Sequence, residues 1–112
     1  MKKTFAIIFL IVLACAVCRA EIASWYGDEC AGKLTASGQL FNPKAITCAS
    51  RSYPLGTRLR VSYGNKSCIV FVTDRGPAKR LHRDIDLSEA AFKQLAPLRL
   101  GLLQVKIEPA SY

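Results

Sequence analysis

A small, mainly β domain closed into a barrel is the fold class that the sequence predicts, and three observations carry it. Alternating stretches such as Arg58-Leu59-Arg60-Val61-Ser62-Tyr63 recur along the chain, and strict alternation marks half-buried strands. Turn residues punctuate these stretches at short intervals, as at Tyr53-Pro54-Leu55-Gly56 and Gly64-Asn65-Lys66-Ser67. One amphipathic helix comes late, at Glu89-Ala90-Ala91-Phe92-Lys93-Gln94-Leu95. Short strands in series with so little helix suit a barrel, whose closure leaves no unpaired edge.

The chain opens with a segment that is not part of this barrel. Met1-Lys2-Lys3 is a positive start, Phe5 to Ala14 is unbroken apolar sequence, and small residues follow, which is the anatomy of an export signal. The apolar run is too short to span a bilayer, which takes ~20 residues. Two endings are open. Cys18-Arg19-Ala20 before Glu21 fits cleavage near Ala20, which releases a free domain. Val12-Leu13-Ala14-Cys15 resembles a bacterial lipobox, in which Cys15 is acylated and becomes the first mature residue. Residues 1–20 are the signal region, processed near Ala20 or at Cys15, and residues 21–112 are one domain, near the lower end of comfortable core size.

Within that domain the elements follow in order. Ile22-Ala23-Ser24-Trp25-Tyr26-Gly27 alternates and reads as the first strand. Its Trp25-Tyr26 pair serves either as a sugar-stacking platform or as core packing. Thr35-Ala36-Ser37-Gly38-Gln39 is a polar turn whose hydroxyls and amide suit a cleft lining. Residues 57–63 form a strand that turns back through residues 64–67 into a second strand at 68–73, a hairpin. Asp74 stands at the mouth of that strand, where Arg75-Gly76-Pro77 breaks it. After a basic loop, Ile85 and Leu87 turn inward, Ser88 is the N-cap of the short helix, and residues 101–107 make a final alternating strand.

Two carboxylates, Asp74 and Asp86, thus sit at neighbouring element ends in a chain with only eight acids. They are candidates for general acid/base chemistry; the alternative is that each caps its local turn or helix. Export implies an oxidising compartment, and Cys30 and Cys48, both in loop-like sequence, are expected to pair. Closing that loop stabilises by ~3 kcal/mol in the chain-entropy picture. Cys68 opens an apolar strand and reads as a buried free thiol. With His82 as the single histidine and no Cys-x-x-Cys in the domain, no metal site is expected. No cofactor is expected either.

Net charge is +8, and loss of Lys2, Lys3 and Arg19 with the signal lowers it to +5. A basic exported domain is drawn to anionic surfaces, of which cell-wall polymers fit and nucleic acid does not. The densest cluster, Lys79-Arg80-Leu81-His82-Arg83, fills the loop between the two acids. It is either a solvated loop or an edge for a polyanionic substrate.

Five blocks carry a resemblance. Ala23-Ser24-Trp25-Tyr26-Gly27, Thr35-Ala36-Ser37-Gly38, Tyr53 to Val61, Thr73-Asp74-Arg75-Gly76-Pro77 and Ile85-Asp86-Leu87-Ser88-Glu89-Ala90-Ala91 stand in the order seen in the rare lipoprotein A family. The resemblance implies a six-stranded double-psi β-barrel with one or two short helices, similar to expansins, barwin-like proteins and MltA-type transglycosylases. It implies a septal lytic transglycosylase acting on peptidoglycan glycan strands as a monomer, and it favours lipid attachment at Cys15.

Such an enzyme cleaves between N-acetylmuramic acid and N-acetylglucosamine without water, the sugar's own C6 hydroxyl attacking to leave a 1,6-anhydro end. An intramolecular nucleophile has a high effective molarity, so the protein supplies mainly one acid that later acts as base. The resemblance assigns that role to Asp86, with Asp74 as its partner, and neighbouring like charges are expected to keep one of them protonated. Trp25, Tyr26, Thr35, Ser37, Gln39, Ser50 and Arg75 are the expected substrate contacts. Gln39 and Ser50 depart from the family, which usually carries Glu and His there. Neither ionises near neutral pH, so essential roles for those groups would leave a binding module of expansin type.

Overall fold

The structure is a computed structural model and describes residues 21–111. The expected signal, with Cys15 and Cys18, lies outside the described residues. Six strands close into one barrel: β1 (Glu21–Tyr26), β2 (Thr47–Ser50), β3 (Arg58–Tyr63), β4 (Lys66–Asp74), β5 (Ile85–Ser88) and β6 (Leu103–Pro109). Their order around it is β1-β5-β2-β4-β3-β6. The β1–β5 and β2–β4 pairs are parallel and the other four antiparallel. Among the described residues one α-helix, α1 (Glu89–Leu95), follows β5 directly, and three short 3-10 turns complete the regular structure.

Alternation explains most strands. Leu59 and Val61 of β3 and Cys68, Val70 and Val72 of β4 point inward and are buried, while Arg58, Arg60 and Phe71 face outward. The two strands are joined through Gly64 and Asn65, with Tyr63 opposite Lys66. Gly64 has φ 59°, the backbone region that a tight hairpin demands of its first turn residue.

Ser88 ties three elements at one point. Its Oγ accepts from Ala91 N of α1 at 3.2 Å and from Thr47 N of β2 at 3.4 Å, and it donates to Ala45 O at 2.6 Å. This is the predicted N-cap. The helix then lays Ala91, Phe92 and Leu95 onto the core. Lys93 and Glu89 pair at 3.6 Å on its outer side.

Two expectations need correction. Residues 47–50 are a strand rather than a loop: β2 lies between β5 and β4, with Cys48, Ala49 and Ser50 all buried. A short, centrally placed strand is covered on both faces and shows no alternation to read. The Cys30–Cys48 disulfide is not formed; Cys30, Cys48 and Cys68 are free thiols. Cys48 is fully buried in the core cluster, whereas Cys30, itself half-buried, ends an otherwise exposed 3-10 turn. Burial pushes the Cys48 thiol up to about 12, with Cys68 adding to it, and the Cys68 thiol up to about 11.

Candidate active site

Four adjacent strands place one row of residues on the outer side of the barrel. Ser24 on β1 pairs with Asp86 on β5, Asp86 pairs with Ala49 on β2, and Ala49 pairs with Asp74 on β4. Their neighbours Ala23, Ile85, Leu87 and Cys48 are fully buried in the core, so the row faces the other way. Two strand spacings separate the acids, which puts their Cα atoms roughly 10 Å apart.

A bulge sets the position of Asp74. The β2–β4 register steps from Cys48 opposite Val72 to Ala49 opposite Asp74, so that two β4 residues answer one on β2. In regular pairing Thr73 would stand opposite Ala49, and Asp74 would point to the same side as core-facing Val72. The extra residue re-aims the carboxylate outward.

The segment after β1 folds over this row and makes a cleft of about 250 Å³. Its lining comprises Tyr26, Cys30, Lys33, Leu34, Thr35, Phe41, Ala49, Asp74, Arg75 and Asp86. Arg75 also borders a larger groove of about 640 Å³, walled by Ser50, Arg51, Ser52, Tyr53, Pro54, Leu55 and Gly76. Gly76 has φ 120°, a conformation open to glycine that lets the chain turn sharply just after Asp74 and Arg75.

The two acids are held differently. Asp74 Oδ1 accepts from Ala36 N at 3.0 Å and from Arg75 N at 2.9 Å, so it pins the polar turn and its own loop to the barrel. Asp86 Oδ1 accepts from the hydroxyl of Ser24, which is buried. Sequence reasoning missed Ser24; its place on the Tyr26 face of β1 was the signal available.

The predicted contacts divide. Tyr26, Thr35 and Arg75 line the cleft beside Asp74 and Asp86. Trp25 does not: its ring packs on Phe92 at a centroid distance of 6.3 Å, and its Nε1 donates to Leu98 O at 3.0 Å, which is the core alternative. Tyr26 is no open platform either, because Phe41 stacks on it at 4.3 Å. Ser37 is used within the turn, with its Oγ 2.8 Å from Thr35 Oγ1.

Gln39 and Ser50 lie outside the central cleft. Gln39 lines a side pocket of about 60 Å³ with Thr35 and Phe41, and its carbonyl accepts from Thr35 Oγ1 at 2.6 Å. Ser50 ends β2 on the large groove, where its Oγ accepts from Ser52 N and Tyr53 N at 3.2 and 3.3 Å. The basic loop is fastened beneath by Arg51, whose Nη1 donates at 2.6 Å to both Pro77 O and Arg83 O. Asp84 belongs to this anchor, accepting from Ile22 N at 2.7 Å and lying 4.0 Å from Arg51.

Known proteins share this fold and family. Residues 19–107 match the profile of the lytic transglycolase family. A relative from Nostoc sp., named probable endolytic peptidoglycan transglycosylase RlpA, is 47% identical over 91 residues, covering 78% of this chain and 24% of its own length. The chain therefore spans about a quarter of that relative. Among solved structures, Streptomyces papain inhibitor superposes with a TM-score of 0.63 at 26% identity, over 80% of this chain and 89% of that one. A Clavibacter michiganensis expansin mutant in complex with cellohexaose gives 0.65 at 18% identity, over 82% of this chain and 50% of that one, a likeness of fold. The chain belongs to the lytic transglycolase family and is an RlpA-like double-psi β-barrel.

Proposed function

We propose that this domain is an endolytic peptidoglycan lytic transglycosylase that cuts glycan strands to 1,6-anhydro ends, with Asp86 as the acid that later acts as base. The observation that carries the reading is the row Asp86, Ala49, Asp74 at the floor of the cleft, with the buried Ser24 hydroxyl on Asp86. The Asp86 carboxyl gives its proton to the glycosidic oxygen as the bond to the anomeric carbon breaks. The C6 hydroxyl of the same sugar then bonds to that carbon, and its proton returns to Asp86. No water is consumed, so one carboxyl serves both halves of the reaction.

Asp74 is the supporting acid. Its two backbone hydrogen bonds commit it to holding the turn, while Asp86 is tied only to one hydroxyl. Ala49 between them presents a methyl group, which leaves room for a sugar. The strand runs from this cleft past Arg75 into the groove lined by Tyr53, Pro54 and Leu55. The domain works as a monomer in the cell envelope, either freed by cleavage near Ala20 or held by lipid on Cys15.

A second reading, a glycan-binding module without turnover, is favoured by the non-ionising Gln39 and Ser50. One experiment separates the two: purified residues 21–112 are incubated with peptidoglycan sacculi and the soluble products weighed by mass spectrometry. Anhydromuropeptides from wild type, with Asp86→Asn binding sacculi but releasing none, are the expected result. Sacculus binding without product from wild type supports the binding module and removes the catalytic assignment.

A further inference from the structure

Neither aromatic ring expected to stack on sugar is free to do so, because Trp25 packs on Phe92 and Phe41 covers Tyr26. Two leucines instead present apolar surface at the cleft. Leu34 is 71% exposed and lines the cleft with Asp74 and Asp86, and Leu40 is 65% exposed and lines the adjoining side pocket. A lone exposed leucine is ordinary, but these two make one surface. They face each other in an antiparallel bridge, flanked by bonds from Phe41 N to Lys33 O at 2.8 Å and from Thr35 N to Gln39 O at 2.9 Å. That pattern marks a non-hydrogen-bonded pair, which sets both Cβ atoms on one side, roughly 5 Å apart. The turn beyond the bridge is fixed to the barrel, with Ala36 N donating to Asp74 Oδ1 and Ser37 N to Thr73 O, each at 3.0 Å. The leucines are thus held in place beside the two acids.

We propose that Leu34 and Leu40 form the apolar wall of a glycan subsite and receive the methyl of a 2-acetamido group from the strand lying over Asp86. The inference rests on the peptidoglycan reading above and names two side chains which that reading does not use. Both sugars of that polymer carry the acetamido group. Three features select it over the sugar ring itself. Aliphatic side chains offer no flat face to a pyranose, but they close around a methyl. The side pocket beside Leu40 holds about 60 Å³, the space of about two water molecules, which admits an acetyl group and excludes a ring. It shares Thr35 and Phe41 with the cleft, so a sugar in the cleft reaches it with a substituent. Covering the two leucines removes apolar surface from water, which favours binding.

The test is binding of residues 21–112 to peptidoglycan sacculi, intact and chemically de-N-acetylated, by wild type, Leu34→Ser, Leu40→Ser and Leu102→Ser. Leu102 is 55% exposed and borders neither the cleft nor the side pocket, so it reports general stickiness. On intact sacculi Leu34→Ser and Leu40→Ser are expected to bind about 5- to 10-fold more weakly than wild type, the effect of losing a partly covered leucine. Their melting temperatures are expected to stay level, and Leu102→Ser to bind as wild type does. De-N-acetylation frees amines that repel all four basic proteins alike, and the gap between wild type and the two variants is expected to close. Wild-type binding by both variants on intact sacculi overturns the inference. A loss that persists undiminished after de-N-acetylation, an equal loss in Leu102→Ser, or a melting temperature that falls along with binding also overturns it. Catalysis is read separately from product release. Wild type that binds through the leucines but yields no anhydromuropeptides removes the transglycosylase reading and leaves the subsite, and wild type that does not bind removes both.

Discussion

Replacing Ser88 with alanine removes one oxygen that β5, β2 and α1 all share. Alanine fits the space, so the loss is purely of hydrogen bonds. The cap on Ala91 N is worth ~1 kcal/mol in comparable helices. The donor to Ala45 O, at 2.6 Å the shortest of the three bonds, adds about 1 kcal/mol, because the carbonyl is left without it near a site with no solvent exposure at Ser88. The weak 3.4 Å contact from Thr47 N is left out of the sum. The total is about 2 kcal/mol, which for a domain of this size lowers the melting temperature by roughly 8–16 °C. Circular dichroism melts, paired with urea titrations to check that the slope is unchanged, measure this directly. A shift under about 2 °C would refute the argument that Ser88 joins the helix to the cleft floor.

Other outcomes follow from the same geometry. Ser24→Ala takes away the hydroxyl that positions Asp86, and sacculus turnover is expected to fall by on the order of 10-fold, read by product release. Ala49→Val places added methyls between the two acids and is expected to cut turnover by about 10-fold or more, with circular dichroism unchanged. Thiol labelling of residues 21–112 is expected to count three free thiols after denaturation and, under native conditions, Cys30 alone; mass spectrometry reads both. Alkali supplies a pH test. Cys48 and Cys68 keep their protons in the fold up to about 12 and about 11, whereas unfolded thiols ionise near their ordinary value of 9.0. Their contribution is therefore complete below pH 9 and lost as pH climbs through 11 and 12, since the unfolded chain binds fewer protons there. Urea midpoints across that range are expected to fall, and replacing both cysteines with alanine is expected to flatten the decline.

How much of this was legible from the chain depends on whether the information is local. Alternation located β1, β3, β4 and β6 to within a residue or two at most boundaries, and Ser88 announced α1, because period and capping are written into consecutive residues. The strand β2 was hidden, since Cys48, Ala49 and Ser50 are all buried and show no period. The disulfide expectation failed for the same cause: a misread strand left Cys48 in a loop. At the site, both acids were legible as residues at element ends. Their joint position was not, because it depends on a parallel register and a bulge between β2 and β4. Tyr26 was legible as a cleft aromatic, but only the folded chain shows Phe41 covering its ring. The resemblance carried Gln39 and Ser50 as cleft residues, and the backbone instead uses their main chain and hydroxyl to close turns.

The account rests on Asp86 driving a transfer in which water takes no part. Digestion of sacculi in water enriched in oxygen-18, followed by mass spectrometry of the new glycan ends, tests this most directly. The prediction is 1,6-anhydro ends without heavy oxygen from the wild-type domain, and no new ends from Asp86→Asn. Reducing ends that carry oxygen-18 would contradict it and make the domain a hydrolase, and anhydro ends from Asp86→Asn at the wild-type rate would remove Asp86 from the chemistry.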